Sequence, residues 1–480
     1  MLEKDGSIGE GSERPEKKKL LDNIFQDVLT LRFIRKKSRH EDINPVAFVV
    51  LSFLAIIIIG AILLWLPFSS KQGPTSLIDA FFTATSATCV TGLVVKDTAT
   101  HFSLFGQIVI LLLIQLGGLG YMTITSFFAL LIGKRLGFSS RLILKEHLNM
   151  SSLAGVFKLA QRVLFFVLSI ELIGAAILFF RWKALGMSFW GSVKYGIFHA
   201  VSAFNNAGFD VTGGFRSLMP YVGDPWIIFT ISFLIIAGGL GFIVISNMYE
   251  ALFYKKRISL QTKIVVVVTI LLIIIGALLV FAFESAGSAA MSGLSVKEKV
   301  YASYFQSVSA RTAGFNSIDI GRMTLNGLMI LIILMFIGAS PGGTGGGIKT
   351  VTFAVILAAV IAFVKGKKET EIRDRSIDDA LVMKSMTIFI LSLFLILGVT
   401  FLLCAFNDFL FFQNLFEATS AFGTVGLSTG ITPLLNIPSK IIISFTVFVG
   451  RVGILSFILS LYTAKNLNKV RLPKEELSVG

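Results

Sequence analysis

Four short stretches of this 480-residue chain carry the residue types that could hold a bare cation. They are Ser86-Ala-Thr-Cys-Val-Thr-Gly-Leu93, Ser202-Ala-Phe-Asn-Asn-Ala-Gly-Phe209, Ser309-Ala-Arg-Thr-Ala-Gly-Phe315 and Ser420-Ala-Phe-Gly-Thr-Val-Gly-Leu427. Each opens on Ser-Ala and closes on a Gly followed by Leu or Phe, and the third is one residue shorter. None offers a carboxylate pair, a His/Cys cluster or an activated nucleophile. What such loops offer is main-chain oxygen. Carbonyls from several loops around one axis can replace the hydration shell of an ion. A Gly at one level of each loop gives the backbone angles that a Cβ forbids. The candidate ion-binding residues are Val90, Thr91 and Gly92; Asn206, Ala207 and Gly208; Thr312, Ala313 and Gly314; and Thr424, Val425 and Gly426. Thr424-Val-Gly426 and Val90-Thr-Gly92 come nearest to the Thr-Val-Gly-Tyr-Gly filter pattern of potassium channels. With one such Gly per loop, fewer ordered ion sites are expected. The competing reading is that Gly and Ser only let helices pack closely in a membrane. One copy would favour packing; four copies on one side of the membrane favour a filter.

The elements that must position these loops are membrane spans. Hydrophobic residues make up 54% of the chain, charged residues only 15%, and the mean hydropathy is +0.82. Eight apolar runs are long enough for a bilayer core, which takes roughly 20 residues. They fall near 46–66, 105–132, 163–181, 226–253, 264–283, 325–363, 385–405 and 440–463. The loops fill the gaps after runs one, three, five and seven, each behind a short segment of helical character. The expected fold is therefore an all-α integral membrane protein. Four parallel repeats of span, pore helix, filter loop and span would surround one pseudo-fourfold pore. The repeats cover 46–133, 160–254, 264–364 and 385–464. Residues 1–45 form an N-terminal segment whose Leu20, Ile24, Val28 and Leu31 make an apolar stripe. That stripe suits a helix on the membrane surface or one that docks a partner. Residues 465–480 form a tail.

Lys and Arg number 30 across 1–45, 134–162, 255–263, 365–384 and 465–480, against 11 in the segments carrying the glycine loops. The positive-inside bias puts both termini in the cytoplasm and opens the loops outward. It also explains the +15 net charge without nucleic acid. Two spans per repeat leave all repeats in one orientation, which favours a channel-like path over inverted repeats that rock. In that arrangement each pore helix enters from outside and directs its partly negative C-terminus at the axis, favouring a cation.

A second set of glycines follows each loop: Gly117-Gly-Leu-Gly120, Gly238-Gly-Leu-Gly241, Gly338-Ala-Ser-Pro-Gly-Gly-Thr-Gly-Gly-Gly347 and Gly450-Arg-Val-Gly453. They start 25, 30, 24 and 24 residues after the loop glycines, so they are equivalent positions. In the second and fourth spans they read as packing sites. The third cannot be helical, since six Gly and a Pro forfeit roughly 9 kcal/mol of helix propensity. Unwound backbone at membrane depth is tolerated where protein buries it or it lines a watery cavity. Gly338, Ser340, Gly342, Gly343, Thr344, Gly345, Gly346 and Gly347 are accordingly expected to form a gate below the filter, beside Arg451. A charge in mid-span has a functional or paired role by default; for Arg451 the alternative is an acidic partner on another span. Glu171 is read as packing or pairing against another span. Glu417 is placed to brace the fourth loop from behind, and His199 reads as a helix-packing residue. Lys349 does not complete a nucleotide loop, because Ile348 separates it from Gly347. An ATP-driven pump lacks its nucleotide site, and a membrane enzyme lacks its catalytic groups.

At these residues the chain resembles the Trk/Ktr/HKT superfamily of potassium transporters, and within it the KtrB membrane subunits. The likeness spans residues 45–465: parallel repeats, one loop glycine in each, the Gly-rich break in the third and an Arg at the equivalent place in the fourth. It implies potassium uptake across the plasma membrane, K+ at the four loops, and loop 338–347 with Arg451 as the gate. It also implies a homodimer, one pore per subunit, seated on a cytoplasmic ring of nucleotide-binding regulatory subunits. No organic cofactor is expected in this chain, and the only further partner is membrane lipid. Relatives with Ser at the first loop glycine pass sodium; here that residue is Gly92. Another small cation, sodium or ammonium, is the alternative cargo. The topology is checked by labelling: Ser70→Cys and Lys367→Cys should react from opposite sides of the membrane, and same-sided labelling overturns it.

Overall fold

A computed structural model of the chain describes residues 45–120 and 156–461. The stripe at Leu20–Leu31 and the tail from 465 lie outside them. The described chain is helical apart from one small antiparallel hairpin, Thr370–Glu371 with Ser376–Ile377. The helices run α1 (Pro45–Trp65), α2 (Leu77–Thr88), α3 (Leu104–Leu119), α4 (Val156–Ala184), α5 (Phe189–Phe204), α6 (Pro225–Gly239) and α7 (Phe242–Tyr254). They continue as α8 (Leu260–Glu284), α9 (Val296–Ser309), α10 (Leu325–Phe336), α11 (Thr350–Val364), α12 (Asp379–Phe406), α13 (Phe411–Gly423), α14 (Ile437–Val452) and α15 (Ile454–Leu461).

One order of elements recurs: a helix of 21 to 29 residues, a shorter helix ending in a glycine loop, then an apolar helix. Local sequence starts the helices. Ser76, Ser188 and Ser295 each accept a hydrogen bond from the main-chain N–H three residues on, capping α2, α5 and α9. Gln413 performs a related role at α13, its Oε1 accepting from Leu410 N–H at 3.1 Å. Ser103, Asp224, Thr324 and Asn436 cap α3, α6, α10 and α14 in the same way, each satisfying a helix-start N–H that would otherwise lack a partner.

Among the described residues, three helices are long and apolar enough to cross a membrane by themselves: Arg162–Ala184 within α4, Leu260–Glu284 and Asp379–Phe406. α6 and α7 form a fourth span only if counted together, and they bend by 99°. Large apolar side chains point outward, Leu172, Leu278 and Phe394 among them, while Ser307, Thr269 and Gln306 are buried. That inversion suits a lipid surround in which the polar groups must find partners inside.

The apolar runs at 226–253 and 440–463 are each built of two helices. α6 stops at Gly239 and α7 restarts after Gly241; α14 stops at Val452 and α15 restarts after Gly453. Gly120, Gly241 and Gly453 hold nearly the same backbone, φ 73°, 93° and 90° with ψ 133°, 138° and 129°. Side-chain-bearing residues avoid that region, and the second glycine of each Gly-x-x-Gly ends its helix. The first glycine packs, as expected in the second and fourth spans. A Cβ on Gly117, Gly238 or Gly450 would run into the carbonyl oxygen of Thr88, Phe204 or Phe422, at the ends of the short helices. In the third unit residues 337–349 are non-helical, and the two helices they join meet at a bridge between Ile337 and Ile348.

These packed glycines generate a stability contrast. Gly450→Ala should destabilise the detergent-solubilised protein by about 1–3 kcal/mol through overpacking. Gly398→Ala in α12, where an added Cβ meets nothing within 4 Å, should instead be neutral or raise stability by up to ~1 kcal/mol. Thermal unfolding of the two variants against the parent is the check; equal loss in both refutes the packing account.

Candidate functional site

The four short helices α2, α5, α9 and α13 each end where a glycine loop begins. The repeated Ser-Ala has a local purpose there. The Ser86, Ser202, Ser309 and Ser420 carbonyls accept from the N–H of the residue before the loop glycine, Thr91, Ala207, Ala313 and Val425, at 2.8 to 2.9 Å. The same hydroxyls then fasten the loops. Ser86 Oγ accepts from Gly92 N–H and Ser420 Oγ from Gly426 N–H, both at 3.1 Å. Ser202 Oγ donates to the Phe209 carbonyl at 2.7 Å, and Ser309 Oγ donates to that of Phe315.

Within the loops left-handed residues alternate. Gly92, Gly208, Gly314 and Gly426 have φ of 94°, 69°, 78° and 92°. Two positions earlier, Val90, Asn206, Thr312 and Thr424 have φ of 50°, 58°, 73° and 48°. For the β-branched Val90, Thr312 and Thr424 this is a costly conformation, of the kind found where surrounding structure enforces it at a working site. The loops then meet through their backbones. A Cβ on Gly92 would lie 2.5 Å from the Ala207 oxygen and 2.9 Å from Gly208 Cα. One on Gly208 would lie 2.8 Å from the Ala313 oxygen and 2.9 Å from Gly314 Cα. One on Gly314 would lie 2.5 Å from the Val425 oxygen and 3.2 Å from Gly426 Cα. One on Gly426 would strike the Thr91 oxygen and come within 2.9 Å of Gly92 Cα. The contacts return to their starting point, so the four glycines close a cycle. Thr91, Ala207, Ala313 and Val425 are fully buried around it.

Buried polar side chains hold the loops from behind. Glu171 on α4 accepts from Gln115 Nε2 at 3.1 Å and from Asn205 Nδ2 at 2.9 Å, joining α3, α4 and the second loop. Among the described residues Glu171 thus pairs with amides, not with a cation. Glu417 accepts from Ser428 Oγ at 2.5 Å, Thr429 N–H at 3.1 Å and Thr432 Oγ1 at 2.8 Å, fixing the chain just after the fourth loop. The Asn206 amide meets the Thr312 hydroxyl at 3.1 Å, linking loops two and three. Lys440 on α14 pairs with Asp79 on α2 at 2.7 Å, linking the first and fourth units. His199 is packing, as read from sequence. Its ring is fully buried against Trp182, with Nδ1 2.8 Å from the Tyr195 carbonyl.

Residues 338–347 run directly beside these loops. Gly346 N–H donates to Thr424 Oγ1 at 2.9 Å, and a Cβ on Gly345 would strike Thr312 Oγ1. Ser340 N–H donates to the Gly239 carbonyl at 3.0 Å and Thr344 N–H to that of Gly238 at 3.2 Å. Thr344 Oγ1 reaches the Phe204 carbonyl at 3.4 Å, and Phe242 N–H donates back to the Gly342 carbonyl at 3.0 Å. Gly343 N–H turns inward to the Ser340 carbonyl at 3.1 Å, and a Cβ on Gly347 would lie 3.2 Å from Gly338 Cα.

Three cations hold this segment by its carbonyls. Arg451 donates through Nη1 to Thr344 and through Nη2 to Gly117, with Gly118 at 3.4 Å; its guanidinium lies 5.9 Å from the Phe53 ring. Its described hydrogen-bond acceptors are main-chain carbonyls, not a carboxylate on another span. Lys349 Nζ donates to Gly345 at 2.6 Å, and Arg311 Nη2 to Gly338 at 3.4 Å. In the sequence Lys349 stands out only beside a would-be nucleotide loop, and Arg311, Asn205 and Gln115 do not stand out. No local signal separates such residues from ordinary helix neighbours.

Comparison with known proteins shows the family. Residues 18–469 match the family model of TrkH, described as cation transport protein. The Ktr system potassium uptake protein B of Bacillus subtilis is 43% identical over 438 residues, covering 91% of this chain and 97% of the relative. The potassium/sodium uptake protein NtpJ of Enterococcus hirae is 39% identical over 460 residues, 93% of this chain and 100% of the relative. The crystal structure of the potassium transporter TrkH from Vibrio parahaemolyticus superposes with a TM-score of 0.69 at 18% identity, covering 88% and 86% of the two chains. These relatives are transport proteins of the membrane, not enzymes. The chain belongs to the TrkH family of cation transport proteins, as a KtrB-like member of the Trk/Ktr superfamily.

Proposed function

We propose that this chain takes potassium into the cell through a path lined by the four glycine loops. The observation that carries the reading is the closed cycle of Gly92, Gly208, Gly314 and Gly426, with left-handed residues alternating along each loop. A backbone that reverses handedness at every second residue can present successive carbonyls to one side, as an ion filter needs. The four short helices end at the loops, so their partial negative charges add to the preference for a cation. In this reading four units surround one pseudo-fourfold pore in the plasma membrane, with both termini cytoplasmic.

Loop 338–347 is the gate. It lies against Thr312 and Thr424 of two filter loops and against the ends of α5 and α6, and its middle is held by Arg451. Its main-chain hydrogen bonds are individually weak, about 0.5–1.5 kcal/mol net, and those from Arg451, Lys349 and Arg311 are worth about 1.5–3 kcal/mol each, so a pull on α11 can exchange them one at a time. That pull comes from a cytoplasmic nucleotide-binding regulatory subunit on which a homodimer of this chain sits. Support for a second component is the name of the Bacillus subtilis relative, which describes one protein of a system. The name of the Enterococcus hirae relative favours a second reading, in which sodium shares the path.

Rubidium uptake into vesicles, with and without sodium, tests the cargo; sodium flux that matches rubidium flux sinks potassium preference. Gly92→Ser should lower that preference about tenfold, or ~1.4 kcal/mol, because a Cβ there abuts the Ala207 carbonyl. An unchanged flux ratio in a folded, inserted variant removes Gly92 from the filter.

The gate has its own test. Deleting residues 342–346 should raise uptake by the membrane subunit alone and reduce its dependence on the partner. Arg451→Ala should act in the same direction but less, since it removes contacts and leaves the loop in place. If the deletion variant is intact and selective yet conducts no faster than the parent, the obstruction lies elsewhere.

A further inference from the structure

We infer that the groove between α8 and α11 is a binding site for an anionic phospholipid. The groove has a volume of about 420 Å³, within the range of roughly 300–1,000 Å³ typical of organic-ligand pockets. Its walls are apolar: Val267 and Val268 on α8 with Phe353, Leu357 and Ile361 on α11. Leu357 and Ile361 are about half-exposed, so the wall is open from the side. One end is strongly basic, lined by Lys263, Lys365, Lys367 and Arg373, with Glu371 as its acidic member. Glu371 is engaged by Lys367 at 2.5 Å, which leaves the charge of Lys263, Lys365 and Arg373 in excess. Lys263 stands in the first turn of α8, where the helix dipole adds partial positive charge.

An apolar slot closed at one end by basic residues fits acyl chain along the helices and phosphate at the mouth. Basic pockets between spanning helices on the cytoplasmic side take anionic headgroups for this reason. An acidic protein surface would satisfy the lysines and arginine but leave the slot empty; a zwitterionic lipid would fill the slot without using the charge. The anionic lipid uses both. Its position gives it leverage, because α11 begins where the Gly-rich loop ends. Thr350 N–H donates to the Ala339 carbonyl at 3.3 Å, and its hydroxyl donates to Ser340 Oγ at 3.0 Å. A lipid bridging α8 and α11 steadies the helix to which that loop is tied.

The inference rests on the membrane reading, not on the ion or the gate, so it is tested without flux. The full chain in detergent is titrated with phosphatidylglycerol or phosphatidylcholine of equal chain length, and retained lipid is read by native mass spectrometry. The parent should retain phosphatidylglycerol at least fivefold over phosphatidylcholine. Combining Lys263→Gln, Lys365→Gln, Lys367→Gln and Arg373→Gln should abolish that preference at unchanged melting temperature. Should the fourfold variant misfold, Lys263→Gln with Arg373→Gln should lower the preference at least twofold. Ala358→Trp, which fills the slot and leaves the charges alone, should reduce retention of both lipids. Equal retention of the two lipids by the parent overturns the proposal. So does a preference that survives in the folded charge variant, which would leave the basic rim for a protein partner.

Discussion

Four stretches of backbone approach each other so closely that no side chain can stand between them. At Gly92, Gly208, Gly314 and Gly426 the space for a Cβ is already taken by the neighbouring loop's carbonyl or Cα. Bare backbones brought together in this way do not hold themselves, because crowded carbonyl dipoles repel. The surrounding structure is organised to resist that repulsion. The loop serines fasten each loop to the end of its own helix, and Asn205, Gln115 and Glu171 fasten the second loop to two spans. Buried carboxylates in such positions are tolerated because their oxygens have donors, as Glu417 illustrates with two hydroxyls and an amide.

The same constraint explains the first glycines of the following helices. Each short helix must deliver its loop to the place where the four loops meet, so its last carbonyls press into the helix behind. Gly117, Gly238 and Gly450 make room for Thr88, Phe204 and Phe422. Close backbone approach replaces the side-chain interdigitation of a soluble core, a common solution where lipid removes the hydrophobic drive between helices. In the third unit the helix does not survive, and its unpaired carbonyls need other partners. Arg311, Lys349 and Arg451 supply them. The arrangement joins two needs, since cations this deep require acceptors as much as an unwound chain requires donors. It also suits the segment to be the moving part of the proposed mechanism: its attachments are hydrogen bonds to several different elements, any of which can be exchanged.

Much was decided by sequence alone. Apolar runs of the right length mark the spans, and Ser-Ala…Gly recurring four times marks the loops, because each repeat meets the same local geometry. Six Gly and a Pro within 338–347 forbid a helix whatever surrounds them. The capping residues Ser76, Ser188, Ser295 and Asp224 likewise act within a turn of chain, so they can be read in place.

Tertiary structure decided what depends on neighbours distant in sequence. Gly241 lies in an apolar run that a helix could cross at a cost of about 1 kcal/mol. It bends because Pro341 and Gly342 pass beside it, and Phe242 N–H finds the Gly342 carbonyl. The left-handed turns at Val90, Thr312 and Thr424 contradict the preference of β-branched residues, and only the meeting of four loops enforces them. Arg451 was conspicuous as a charge in a span, but its choice of the Thr344 and Gly117 carbonyls over a carboxylate was not. Arg311 gave no signal at all, because its partner, the Gly338 carbonyl, is main chain and lies 27 residues away. Sequence fixes which residues cannot be ordinary helix; which carbonyl each buried donor finds is settled only when the loops close.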